Sequence, residues 1–515
     1  MKQLFFLLNL LVTLSTAFAQ LDTSGDEKDF LHNGPIRYIK QGTHKPDSIL
    51  TIAEADTLLK KINPQDSILL LIQKNPYYID SLHLVIKNIV ISGTSITKDD
   101  VILREMSLKS GGLFTLSKYQ NDVQRIYNLG LFTKVEILPV PVSDKQIMLN
   151  VDVQERWYIF PFPEWGMDDG EWSKIWIGAR LRWDNFRGMN ESVGIFFRVL
   201  YNPAVSVFYN MPWIGKDLHL FASVRAGYSN IQNQSLLALG RPNGSSTFSR
   251  NDTGNFEYNQ YDAFITLGKY FSRNFSVFGE FGYNHSRVTE YESGRTISPT
   301  GLDKYLTLGP GIQFDSRDVR EYATRGFFLR TSYLRYGFID NSINFGRFNL
   351  ETRSFIPVNI SSDYYVTIAS RVFISLASGA VIPIYQHQYL GFGDNFVRGW
   401  NGFGYEGENE FTWYNELRIP IFQPRYISAS KLPVINKIPV VNKFQLKHGL
   451  FFTILYDVGA AWNKDDRIYD VHFLRGAGIG LNVILPFGYV FRMDWACRIN
   501  KPSVGTFIIG TTAKF

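Results

Sequence analysis

The chain has 515 residues, 15% of them aromatic (41 Phe, 28 Tyr and 10 Trp), and a formal net charge of +6. That length holds two to four ordinary domains, or one small domain and a large barrel. The modest charge, with no dense Lys/Arg run, excludes a nucleic-acid patch, and a single cysteine, Cys497, excludes both an intrachain disulfide and a cysteine metal cluster.

From the N-terminus, Met1-Lys2 gives a short positive start, Leu4 to Leu14 an apolar stretch, and Ala17-Phe18-Ala19 a small-x-small site before Gln20. This predicts a secretory signal over residues 1–19. Gln20, not Cys, would become the new N-terminus, so no lipid anchor is expected. No later apolar run reaches the roughly 18–20 residues that a membrane helix needs. Residues 20–81 read as a polar linker broken by Pro35, Pro46, Pro64 and Pro76. Within it Ile52, Ala55, Leu58, Leu59 and Ile62 have the spacing of a short amphipathic helix over 49–62, which suits a plug, a docking helix or a half-ordered linker.

The pattern changes at Leu82. A strand-like run, Leu82–Ser92, closes at Gly93-Thr94; Thr97–Ser107 has helical spacing with Thr97 as its N-cap; a second helix, Ser117–Leu129, ends at Gly130 as C′ residue. Strands Phe132–Val140 and Gln146–Glu155 follow, separated by a Pro-Val-Ser-Asp turn. Strand, helix, helix, strand, strand over 82–155 predicts a compact α+β domain. Tyr127 and Leu129 are expected to pack the second helix on the sheet, with Gly130 turning the chain into the Phe132 strand.

From Arg156 to Phe515 sixteen alternating segments appear, near 156–165, 174–184, 191–201, 204–212, 218–229, 259–271, 274–289, 304–315, 326–337, 344–356, 362–377, 411–422, 447–461, 473–486, 488–500 and 503–515. Such lengths suit tilted membrane strands. Ile175, Ile177, Ala179, Leu181 and Trp183 share one face and Arg180 and Arg182 the other. Phe487, Tyr489, Phe491, Met493, Trp495 and Cys497 would face lipid, with Arg492, Asp494 and Arg498 facing the lumen. Arginine on the lipid side costs about 2–4 kcal/mol near the midplane, which sets the register. Short links (214–216, 272–273, 486–488) alternate with long ones (230–258, 286–303, 378–410), the asymmetry of periplasmic turns and outer loops; 316–325 and 423–446 are longer periplasmic exceptions. The fold class predicted is a transmembrane β-barrel of 16 antiparallel strands in a bacterial outer membrane, preceded by one small periplasmic α+β domain.

Two resemblances follow from motifs. Ile89-Val90-Ile91-Ser92-Gly93, Thr97, Arg104-Glu105, Gly111-Gly112 and Arg125-Ile126-Tyr127-Asn128-Leu129-Gly130-Leu131-Phe132 resemble the polypeptide-transport-associated (POTRA) domain. Gly391-Phe392-Gly393-Asp394-Asn395-Phe396-Val397-Arg398-Gly399-Trp400, in the sixth outer loop, resembles the Val-Arg-Gly-aromatic motif of the BamA/TamA family, with Trp where Tyr or Phe is commoner. The turn Phe314-Asp315-Ser316-Arg317-Asp318 with Thr324-Arg325-Gly326, the alternating Gly476, Gly478 and Gly480, and the terminal run Gly510–Phe515 are similar to further features of that family. The resemblance covers about residues 82–515.

It implies that the loop folds back into the lumen, with Arg398 meeting Glu416 and Asp457 on strands 12 and 13. It also implies an insertase that captures client strands in the periplasm and inserts them through a seam between strand 1 (Arg156–Trp165) and strand 16 (Ser503–Phe515), eased by Gly505 and Gly510. The alternative is a two-partner-secretion-type translocator exporting an unfolded client through the lumen; a porin or receptor is disfavoured by the periplasmic domain. Implied partners are unfolded outer-membrane or secreted clients, outer-membrane lipids and accessory periplasmic or lipoprotein subunits, with no nucleic acid. A single POTRA-like domain implies a specialised rather than a general role. No catalytic residue, metal site or cofactor is expected: there is no His-Glu-x-x-His pair, Gly-x-Ser-x-Gly elbow or Walker-type loop.

Overall fold

The computed structural model describes residues 76–515 except 168–173, 216–217, 240–247, 250–255, 340–341, 362–363, 392–395, 401–402, 429–444, 468, 486–489 and 511–512. The signal at 1–19 and the helix at 49–62 lie outside the described residues.

The small domain runs α1 (Pro76–Ser81), β1 (Val85–Ser92), α2 (Asp99–Leu103), α3 (Leu116–Asn128), β2 (Phe132–Ser143) and β3 (Gln146–Glu155). Strand β3 is central, parallel to β1 and antiparallel to β2. Alternation along β3 buries Ile147, Leu149, Val151 and Val153 against the helices. Helix α3 answers with Leu116, Tyr119 and Ile126, spaced for one helical face. Asp122 is buried on that face too, and its carboxylate accepts hydrogen bonds from Ser107 N (2.7 Å) and Leu108 N (2.8 Å), fixing the loop after α2.

Three expectations change here. Tyr127 and Leu129 are only half-buried, because helical rotation carries them to the margin of the face centred on Ile126; Ile126 and Leu131 seal the core, while Phe132 is buried as expected. Gly130 does make the turn, at φ +68°. Thr97 is not a helix cap: α2 starts after Lys98 with no side-chain cap. And α1, placed in the linker by its polarity, belongs to the domain, with Ile79 fully buried and Asp80 Oδ1 accepting from Leu116 N (2.8 Å).

Sixteen strands form one antiparallel sheet: β4 (Ile159–Met167), β5 (Ile175–Phe186), β6 (Glu191–Leu200), β7 (Ala204–Ile214), β8 (Leu220–Gln232), β10 (Glu257–Tyr270), β11 (Phe275–Val288), β12 (Leu302–Asp315), β13 (Gly326–Gly337), β14 (Phe345–Ser361), β15 (Tyr364–Gly379), β18 (Asn409–Ser428), β19 (Gln445–Trp462), β20 (Leu474–Ile484), β21 (Val490–Arg498) and β22 (Lys501–Gly510). The short strands β9 (Phe248–Ser249), β16 (Gln388–Leu390) and β17 (Phe403–Gly407) pair among themselves in the outer loops. This is the barrel fold, and its inside-outside alternation follows the sequence pattern. Ile177, Leu181, Trp183 and Trp495 are exposed on the outer face, whereas Tyr414, Glu416, Arg418, Arg492 and Asp494 are buried on the inner one.

The chain leaves the barrel wall earlier than expected. Strand β22 ends at Gly510, and Phe515, expected to end the last strand, instead packs on the inner face with Ala323, Phe355, Ala369 and Tyr414. A terminal aromatic buried among rings, with its carbonyl accepting from Arg418 Nη2 (3.1 Å), has no need of the ladder. The 316–325 link also folds inward: Tyr322 is buried beside Phe451, Ile484 and Val490, and its hydroxyl accepts from Asn482 Nδ2 (2.9 Å).

The small domain joins the barrel through a polar junction. Glu155 accepts from Thr97 N and Thr97 Oγ1 (both 2.6 Å) and from Ser95 N (3.0 Å), and Thr97 Oγ1 accepts from Asn185 Nδ2 (2.8 Å). Lys98 N donates to Gly188 O (3.0 Å). Gly188 has φ +72°, and a Cβ there would collide with the Ile96 carbonyl oxygen, so only glycine fits. On α3, Asn128 Nδ2 donates to Asp318 O (3.0 Å) in the inward-folding link.

The revised core makes a direct prediction. Ile126→Ala should destabilise the domain by about 2–5 kcal/mol, and Tyr127→Ala by about 1 kcal/mol, in denaturant titrations of the detergent-solubilised full chain. Equal losses would restore the motif-based core. The junction carries a pH dependence. Burial raises the Glu155 pKa, but the opposing hydrogen bonds from Ser95 and Thr97 leave it below its ordinary value of 4.5. A depressed folded-state pKa contributes stability above the unfolded value and loses it as pH falls through the folded one. Hydrogen exchange over residues 95–98, corrected for intrinsic rates, should therefore accelerate as pH drops from 5 to about 3, and Glu155→Gln should remove that step; a pH-independent profile in the native chain would contradict it.

Candidate functional site

The sixth outer loop carries Val397, Arg398, Gly399 and Trp400 down to the inner wall, and the wall is shaped to receive them. A Cβ on Gly476 of β20 would collide with the Arg398 carbonyl oxygen, and one on Gly459 of β19 would lie 2.6 Å from Val397 Cγ2. Gly399 turns the loop at φ +95°, where a Cβ would lie 2.7 Å from the Cys497 backbone. The other two glycines of β20 serve different neighbours: Gly478 admits the β21 backbone at Trp495, and Gly480 admits the Asp494 carboxylate. Val397 is fully buried with Leu390, Trp400, Tyr405, Ala461 and Leu474.

This seating leaves Arg398 with no exposure. Its Nε and Nη2 donate to the two oxygens of Asp457 (2.7 and 2.8 Å), a bidentate fork, and its own backbone N donates to Asp457 Oδ2 (3.1 Å). Nη1 donates to Glu416 Oε1 (2.6 Å) and lies 3.4 Å from Asp494 Oδ2. Both expected partners thus meet Arg398, and Asp494 of β21 is a third carboxylate that the motif did not indicate. Arg418 and Arg492 pair the same acids, at 2.9 Å from Glu416 and 3.2 Å from Asp494, so three cations face three carboxylates. Trp400 takes a donor role, with Nε1 donating to Arg475 O (3.0 Å). Arg498 lies over the Trp400 and Phe403 rings, 4.6 and 3.8 Å from their centroids, and donates to Gly399 O (3.1 Å).

A second arginine extends the network towards the 316–325 link and Phe515. Arg418 Nε binds Glu416 Oε2, while its Nη1 donates to Ala323 O (3.0 Å) and its Nη2 to Phe515 O. Its guanidinium sits 4.2 Å from the centroid of Tyr322 and 5.2 Å from that of Phe515. Arg418, Asp494 and Tyr322 are the residues that motif reading missed. The available signal was alternation, which places Arg418 and Asp494 inside, and the rarity of a charge there without a partner.

Among the described residues no ladder joins β22 to β4. Gly505 is less a weak point than a seat, since the Trp495 ring lies where its Cβ would be, 2.6 Å away. Gly510 likewise makes room for Arg492 Nη2 at 3.0 Å. Among the described residues no group of three or more His, Cys, Asp or Glu side chains is arranged to hold a metal ion. The arrangement can hold a loop against a wall.

Comparison with known proteins agrees with this geometry. Residues 84–156 match the POTRA family (surface antigen variable number repeat), and residues 185–507 match the Omp85 superfamily domain. The outer membrane protein assembly factor BamA of Neorickettsia risticii (strain Illinois) is 26% identical over 437 residues, covering 80% of this chain and 52% of that protein. The chain therefore spans about half the length of that relative. Among solved structures, BamA from Haemophilus ducreyi lacking POTRA domains 1–3 superposes with a TM-score of 0.51 at 17% identity, covering 91% of this chain and 96% of that one. CdiB from Acinetobacter baumannii gives 0.54 at 15% identity, covering 84% and 74%. A POTRA domain, a sixteen-stranded barrel and an inward loop held by a buried arginine thus coincide with a match over most of the barrel: the chain belongs to the Omp85 superfamily.

Proposed function

We propose that the chain is an outer-membrane protein insertase, with its POTRA domain in the periplasm. The domain receives an extended client segment, and the barrel offers its open edge so that client strands form paired before they meet lipid. The mechanism is physical, and no covalent step, metal or cofactor enters it. The observation that carries this reading is that, among the described residues, no ladder joins β4 to β22. The latch supports it: Arg398 and Arg498 hold the loop on β21, the strand next to that edge, so the loop braces one lip of the seam. Clients on this reading are unfolded outer-membrane or secreted proteins, the surroundings are outer-membrane lipids, and accessory periplasmic or lipoprotein subunits are further partners.

One observation favours a translocator instead. On the inner wall of β5 and β8, Arg180, Arg182 and Arg225 keep 49%, 44% and 58% of their side-chain surface, a polar face along which an unfolded chain could pass. Against that passage stand the 316–325 link, the latch and Phe515, which fill the interior beside β14 to β21.

Two measurements separate these readings, and a third tests the latch. A disulfide between β4 and β22, in a Cys497→Ser background, should abolish client insertion if the seam must open, whereas full activity in the locked protein would favour the lumen. Depletion followed by outer-membrane proteomics should lower many barrel proteins under the insertase reading and one secreted protein under the other. For the latch, Arg398→Glu should destabilise the folded barrel by about 3–5 kcal/mol, because it leaves buried carboxylates unpaired. Adding Asp457→Arg should recover a substantial part, read as the temperature at which unboiled protein loses its fast gel mobility; the absence of any recovery would mean that the two residues are not coupled.

A further inference from the structure

Guanidiniums repel one another at short range, so arginines that share an inner wall are matched with acids or kept apart. Those of β13 to β15 are matched. Arg330 Nη2 donates to Glu280 Oε1 (2.6 Å), and Arg353 and Arg371 share Glu351 Oε1, each at 2.7 Å. The exception lies where β10 to β13 meet the 316–325 link. There a cavity of about 230 Å³ is lined by Arg273 of the β10–β11 turn, Ser276 of β11, Gln313 and Asp315 of β12, and Arg317 and Arg320 of the link.

Three guanidiniums here face one carboxylate. Asp315 is already engaged by Arg317, whose Nε and Nη2 donate to its two oxygens at 2.9 and 3.0 Å, and Arg320 Nε lies 3.7 Å from Oδ2. Arg273 forms no ion pair among the described residues. The next acid is Glu105, just beyond α2, and it has its own cation in Arg104 (3.7 Å). Burial holds the Glu105 carboxyl above its ordinary range, although the charges of Arg104, Arg273 and Arg320 pull the other way. With Glu105 and Arg104 cancelling, the cavity keeps an excess of two positive charges.

Its neutral groups add donors. Ser276 is only 4% exposed, and its hydroxyl makes no hydrogen bond among the described residues. Gln313 Oε1 accepts from Arg330 Nη1 (3.4 Å), which leaves its amide nitrogen to donate. These donors come from a turn, two strands and a loop. Guanidinium forks, a hydroxyl and an amide around a two-charge excess suit the several oxygens of a doubly charged phosphate group. A single carboxylate would match one fork and leave a positive charge unmet.

We propose that this cavity is a phosphate site: Arg273, Arg320 and the Ser276 hydroxyl bind the oxygens of a phosphate dianion, either inorganic phosphate or the phosphomonoester headgroup of a lipid. Arg317 stays with Asp315 and shapes the wall. The site uses none of the latch residues and is independent of the insertase reading. A bound dianion ties the β10–β11 turn to the link whose Asp318 carbonyl accepts from Asn128 of α3.

The test is a calorimetric titration of inorganic phosphate into the full chain in a phosphorus-free maltoside detergent, at constant ionic strength in chloride. The native chain should bind phosphate saturably at a single site. Arg273 and Arg320 are both exposed, so Arg273→Gln with Arg320→Gln leaves the packed interior intact. That double variant should weaken binding about tenfold or more. Absence of saturable binding by the native chain, or equal binding by the double variant, would overturn the proposal. The source of the phosphate is read by repeating the titration in nanodiscs of phosphatidylcholine with and without phosphatidic acid. Equal affinity in the two supports the site as one for free phosphate. Affinity lowered by phosphatidic acid in the native chain supports it as a headgroup site.

Discussion

A guanidinium with no access to water has to be neutralised by what surrounds it, and much of the barrel interior is arranged around that requirement at Arg398. Removing a single charge from such a group costs several kcal/mol, so its acids have to come from fixed places on the wall. Glu416, Asp457 and Asp494 are supplied by β18, β19 and β21, strands whose two-residue period already turns those side chains inward. The close approach needed to reach them explains the missing side chains at Gly459 and Gly476. Loop, wall and charge are therefore one constraint expressed at three levels.

The same carboxylates link parts of the chain that are far apart in sequence. Glu416 is shared by Arg398, from the outer loop, and Arg418, which also binds the link between β12 and β13 and the Phe515 carbonyl. That link in turn accepts a hydrogen bond from Asn128 in the small domain. A continuous run of charge-assisted and backbone hydrogen bonds thus passes from helix α3 of the small domain to the loop that carries Arg398. It is a physical connection rather than a measured coupling.

Much of this was legible in the sequence. All sixteen strands could be located because lipid on one face and water on the other impose a period of two, and Glu416 and Asp457 could be named as partners of Arg398 because the family resemblance implies acids on strands 12 and 13. What escaped reading lacks periodicity. The 316–325 link and the terminal Phe515 turn inward by packing against residues distant in sequence, which no local pattern records. Tyr127 and Leu129 misled because a motif marks recurring residue types, whereas burial follows the helical face through Tyr119 and Ile126. Thr97 looked like a cap because threonine before a helical run so often is one, yet its hydroxyl serves the junction with Glu155 and Asn185.

That junction has a mechanical consequence. Only Arg156, Trp157 and Tyr158 separate β3 from β4, and a second attachment, Lys98 to Gly188 and Thr97 to Asn185, grips the turn between β5 and β6. A body held at two points cannot swivel about one of them. Any tilt of the small domain is handed to the hairpins that begin with β4, and therefore to one margin of the sheet, which makes the domain a handle on that margin.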